Sequence, residues 1–86
     1  MRDQAKKEFL KLRLKQKYFL LKKEGEYIAS RIYRTFEIHL YLIHGFYAEV
    51  WMRVTFNELC WIEIADEVLL AENYLDHLNP GKELNL

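Results

Sequence analysis

The 86-residue chain predicts an α+β fold: an N-terminal helix, a meander of three or four antiparallel strands, and a C-terminal helix, in two layers. Three observations predict it. Between Phe36 and Val54, two runs of strict alternation flank a single His44-Gly45: Phe36, Ile38, Leu40 and Leu42, then Phe46, Ala48, Val50 and Met52. Period-two alternation on both sides of a short glycine-containing gap is the pattern of a β-hairpin. Before it, residues 3 to 23 are rich in Lys and Leu, with Gln and Glu among them, and contain neither Gly nor Pro. After it, the apolar residues that follow Asp66 recur at helical spacing.

The segment from Asp3 to about Lys23 therefore reads as one helix, inside a basic stretch 1–24 and closed by Gly25. At about 100° per residue its apolar side chains fall into two stripes. Ala5, Phe9, Leu12, Phe19 and Leu20 form one; Leu10, Leu14, Tyr18 and Leu21 form the other. A surface helix needs only one apolar stripe. The second one predicts a further contact, with Leu10, Leu14, Tyr18 and Leu21 as a dimer seam.

Residues 26–65 make the sheet. Glu26 to Tyr33 alternates weakly and reads as a first strand, with a bend near Arg34-Thr35; a single bent strand over 26–43 is the alternative. The hairpin follows, and Asn57-Glu58 separates it from a last strand, Cys60 to Ala65. Asp66 can cap a second helix, 66–79, whose stripe is Val68, Ala71, Tyr74, Leu75 and Leu78. Asn79-Pro80-Gly81 stops it, leaving a tail of 80–86. The whole chain, 1–86, reads as one small domain.

Register decides which residues share a face. A two-residue turn would set Leu40 against Glu49 and mix the apolar sets. A three-residue loop, Ile43-His44-Gly45, sets Leu40 against Ala48 and His39 against Glu49, and keeps the aliphatics together. That register is the one expected, with Gly45 in the left-handed third position. The outer face then holds eight candidate binding residues, Arg31, His39, Tyr41, Tyr47, Glu49, Trp51, Arg53 and Trp61, together with Tyr33, Glu37 and Glu63. Trp, Tyr and Arg are the residue types that dominate interface energetics, so this face is the candidate binding surface.

Composition narrows the function classes. The chain is 51% hydrophobic and 30% charged, as globular proteins are, and Cys60 is its single cysteine, which excludes an internal disulfide. With no apolar run near 18 residues and no signal-peptide pattern, cytoplasmic residence is the expectation, without a membrane partner. The net charge of zero conceals an asymmetry. Residues 1–24 carry nine Lys/Arg against three Asp/Glu, and residues 25–86 four against ten. His39 with Glu49 is the one constellation that suggests acid–base work, and it lacks a nucleophile, because Ser30 and Cys60 alternate onto the opposite face. His39, His44 and His77 show no ligand spacing, so neither metal nor cofactor is expected.

Gly25, Tyr27, Ala29 and Arg31, followed by Leu40-Tyr41 and Phe46 to Trp51, resemble a strand-and-hairpin pattern of short uncharacterised bacterial proteins. The resemblance spans about residues 25–78 and implies a small α+β fold with no catalytic residue to transfer. The reading that follows is a non-enzymatic interaction or assembly module that self-associates as a homodimer. The alternative is a nucleic-acid-binding accessory protein using the Lys-rich first helix.

Overall fold

Two short helices, rather than one long one, precede the sheet. In the computed structural model, which describes the backbone of residues 2–78 and side chains up to Leu75, α1 spans Arg2–Lys11 and α2 spans Leu14–Glu24. Neither Gly nor Pro marks the break. Leu12 N closes α1 by donating to Phe9 O (3.1 Å), and Arg13 turns extended with its N–H donating to Gln16 Oε1 (2.8 Å). The break lets Phe9 of α1 and Leu21 of α2 both reach the same buried cluster. An unbroken helix of this length would run about 33 Å, longer than an eight-residue strand. Gly25 ends α2 for a reason other than a left-handed φ: its φ is −86°, but a Cβ there would lie 2.6 Å from Leu21 O.

The strands β1 (Glu26–Tyr33), β2 (Phe36–Ile43), β3 (Phe46–Arg53) and β4 (Glu58–Ala65) form one antiparallel sheet in the order β1-β2-β3-β4. Residues 26–43 are thus two strands, joined through Arg34 at φ 55°. α3 (Glu67–Leu78) follows, capped by Asp66, whose Oδ1 accepts from Leu69 N at 2.9 Å. No described helix is long and apolar enough to cross a membrane. The tail 80–86 lies outside the described residues, as does the His77 side chain.

The register is not the expected one. Ile43 pairs with Phe46, Leu40 with Glu49, Ile38 with Trp51 and His39 with Val50. His44 (φ 49°) and Gly45 (φ 84°) form a two-residue turn with both central residues left-handed, the geometry that matches strand twist. The three-residue loop assumed that only one face of the sheet is buried. Here both are. Tyr41, Ile43, Phe46, Ala48, Val50 and Ile62 lie under α1 and α2. Ala29, Leu40 and Ala65 lie with Tyr74 of α3, against which Leu69 and Leu70 also pack. The architecture is therefore three layers, with α3 on the face opposite α1 and α2, and not two layers with every helix on one side. Mixing the apolar sets costs nothing when each set has its own cover.

α3 also presents a different stripe from the one expected. Tyr74 is buried, whereas Val68 and Leu75 are exposed. Its backbone leaves helical geometry at Tyr74 (φ −134°, ψ 19°), where the ring turns in toward β3.

Candidate functional site

One polar residue is fully buried in this sheet, and it is Glu49 in the middle of β3. A buried carboxylate survives only if its oxygens are satisfied. Here four donors reach it. Tyr74 Oη donates to Oε2 at 2.7 Å; Arg31 donates to the same oxygen from Nη2 (3.0 Å) and Nε (3.2 Å); Trp51 Nε1 donates to Oε1 at 3.2 Å. Arg31 Nε also lies 3.1 Å from Tyr74 Oη. Elements distant in sequence, β1, β3 and α3, are thereby tied at one point.

The charges respond to this enclosure. Partial burial works against the Arg31 cation, but the hydrogen bonds to Tyr74 and Glu49, with the Glu49 charge, outweigh it and hold the guanidinium above its ordinary value. Burial pushes the Tyr74 hydroxyl well up, helped by its bond to the Glu49 carboxylate and opposed by Arg31. Tyr74 therefore stays a neutral donor at neutral pH.

Beyond this network the α3-side face of the sheet becomes an aromatic ledge. Trp51 and Trp61 stack across β3 and β4 with centroids 4.5 Å apart and planes at 21°. Phe36 meets both edge-on (5.4 and 5.2 Å), and Tyr33 meets Trp51 at 6.1 Å. Arginines lie over these rings: Arg31 over Trp51 (5.7 Å), Arg53 over Phe36 (5.0 Å) and Arg34 over Tyr33 (5.4 Å). Tyr33 and Trp61 remain 47% and 39% exposed. Leu69, Leu70 and Tyr74 cover the other half of this face.

The structure thus brings together six of the eight candidate binding residues: Arg31, Tyr47, Glu49, Trp51, Arg53 and Trp61. Tyr47 sits at the α3-covered end and Arg53 at the ledge. His39 and Tyr41 are on the opposite face. Tyr41 is buried beneath α2 with its Oη accepting from Lys22 at 3.4 Å, and His39 contacts Tyr27 and lies 3.6 Å from Glu37. The His39–Glu49 pair does not form, because the observed register places Val50 across from His39. The hydrogen bonds of Glu49 run to Arg31, Trp51 and Tyr74, so it ties β1, β3 and α3 together.

The first-helix seam is not a surface. Leu21 is fully buried in the core, Leu14 and Tyr18 pack against it, and of the four only Leu10 is exposed. Cys60 stands half-buried at a β-bulge in β4 rather than in the core. Among the described residues, no group of three His, Cys, Asp or Glu side chains is arranged to hold a metal. Sequence reasoning missed Phe36 and Tyr74 as members of the site; Tyr33 was expected on this face and lies on it. The available signal was a glutamate between Ala48 and Val50 in a central strand, which calls for a buried partner. No family model, curated protein or solved structure matches the chain.

Proposed function

We propose that this protein is a non-enzymatic interaction module that pairs with a second copy of itself through the aromatic–arginine ledge. The observation that carries the reading is the part-exposed Trp51–Trp61 stack with Tyr33 and Phe36, braced from behind by the Glu49 network. A rigid, pre-ordered aromatic surface loses little entropy on binding, and Trp, Tyr and Arg are the usual interface anchors. Charge argues for the occupant. Buried Glu49 offsets Arg31, and at the surface of the ledge Arg34 and Arg53 are matched by Glu58 and Glu63, so the patch carries both signs and no excess of either. Such a surface offers little to a polyanion. Turned on itself by a two-fold axis, it sets arginine against ring and carboxylate, as isologous contacts require.

Sedimentation equilibrium at micromolar concentration tests the reading. Near 1 M salt the wild type should run as a dimer, and Trp61→Ala, on an edge strand and already part-exposed, should shift it to monomer. A wild-type monomer, or a Trp61→Ala chain that dimerises like its parent, would overturn the ledge as the seam.

A further inference from the structure

The two helical layers carry opposite charge. Residues 2–24 hold nine Lys/Arg against three Asp/Glu, whereas Asp66 to Leu78 holds four carboxylates and no Lys or Arg. α1 and α2 cover one sheet face and α3 the other, so the molecule is polarised across its thickness. Among the described residues, Lys11 is the one cation of α1 and α2 within ion-pair distance of a carboxylate, at 3.8 Å from Glu8.

Each layer also leaves apolar side chains in water. On α2, exposed Lys15, Phe19 and Lys23 follow one another at four-residue spacing and so share a helix face. Phe19 is 69% exposed and, with Leu12, Gln16, Leu20 and Lys23, lines an open depression of about 350 Å³. On α3, Val68 (65% exposed) and exposed Glu72 lie four residues apart and so share a helix face, and Leu75, just past the kink at Tyr74, is 45% exposed. The first surface is apolar with a basic rim; the second is apolar with an acidic one.

We propose that the outer face of α2 is a docking surface for α3 of another copy of this chain. Val68 and Leu75 pack over Phe19 and Leu20, while Glu67 and Glu72 meet Lys15 and Lys23, a helix-in-groove contact with complementary charge. The two surfaces lie on opposite faces of one molecule, so the contact is heterologous and adds copies front to back without closing at two. A nucleic acid would satisfy the lysines but gives Phe19 and its depression no matching helix face. This contact is independent of the ledge: a ledge dimer is closed and insensitive to salt, whereas the stack is open-ended and salt-sensitive.

Sedimentation velocity on the full chain distinguishes them. At about 0.01 M salt the average mass should grow with concentration beyond a dimer, and that growth should vanish near 1 M, where the screening length falls to about 3 Å. Reversing charge on either surface alone, Lys15→Glu with Lys23→Glu or Glu67→Lys with Glu72→Lys, should abolish the growth. An equimolar mixture of the two reversed chains should restore it, since each then offers the other its complement. All four positions are exposed, so folding is not at stake. Mass that does not grow at low salt, or a mixture that fails to restore growth, overturns the proposal. So does micromolar binding of a short DNA or RNA duplex at physiological salt that Lys15→Glu with Lys23→Glu removes, since it would assign the lysines to phosphate.

Discussion

Tyr74 donates its phenolic hydrogen to Glu49 across 2.7 Å, joining the kinked residue of α3 to the centre of β3. Because Glu49 is fully buried and Arg31 and Trp51 donate to the same carboxylate, one acidic side chain fixes the position of a helix and of two strands. The aromatic ledge begins beside that point, through Trp51, which belongs to both. Rigidity at Glu49 and exposure at Trp61 are two ends of one arrangement.

Removing the carboxylate should therefore be costly. Glu49→Ala leaves the Arg31 guanidinium, the Tyr74 hydroxyl and the Trp51 indole N–H without their acceptor. Losing one partner of a buried ion pair costs about 3–5 kcal/mol, and because the Arg31 side chain is 21% exposed and can take water, about 2–3 kcal/mol is expected here. Urea unfolding measures it, and Glu49→Gln, which keeps an acceptor oxygen, should lose less.

Alkaline pH should reveal Tyr74. Its hydroxyl is raised in the folded protein above the unfolded value of about 10. The folded state then holds the proton more tightly, so this contribution to stability is complete below about pH 10 and is lost as pH rises above it. Thermal unfolding followed from pH 8 to 11, by way of about pH 10 where the limb begins, should show a steeper fall for the wild type than for Tyr74→Phe. At neutral pH the variant should already be weaker by about 1–2 kcal/mol, from a lost hydrogen bond to a charged acceptor. Parallel pH profiles for the two proteins would contradict the assignment.

Gly25, just before β1, and Gly45, in the turn between β2 and β3, should respond to alanine for different reasons. At Gly45 the added methyl has room, 3.6 Å from Arg2 Cβ, so the cost is the left-handed backbone alone, about 1 kcal/mol. At Gly25 the φ is ordinary but the methyl would sit 2.6 Å from Leu21 O, a backbone atom of the buried end of α2. Gly25→Ala should be the more damaging of the two by chemical denaturation. Equal losses would mean that the end of α2 can shift.

Element types and most boundaries were legible because each rests on local chemistry: alternation for the strands, Asp66 for the start of α3, Gly25 for the end of α2. Layering was not, because it depends on which face each helix covers. A sheet buried on both sides tolerates Leu40 opposite Glu49, and the rule that aliphatics gather on one face then selects the wrong register. His44-Gly45 was itself the stronger cue, since both residues accept the left-handed region that a two-residue turn demands. The break at Leu12-Arg13 left no mark in composition, so two short helices looked like one with a surplus stripe. Of the candidate site, Arg31, Glu49, Trp51, Arg53 and Trp61 were legible as strand neighbours; Tyr74 was not, because its partner lies on an element 25 residues away.

The central claim is that copies of this chain meet at the ledge, and intermolecular ring contacts test it most directly. In a mixed sample of isotope-labelled and unlabelled protein, filtered NOE spectra should show cross-peaks between the Trp51, Trp61 and Tyr33 rings of one copy and those of another. Cross-peaks confined to single chains, in a sample that sedimentation shows to be dimeric, would place the seam elsewhere and contradict the account.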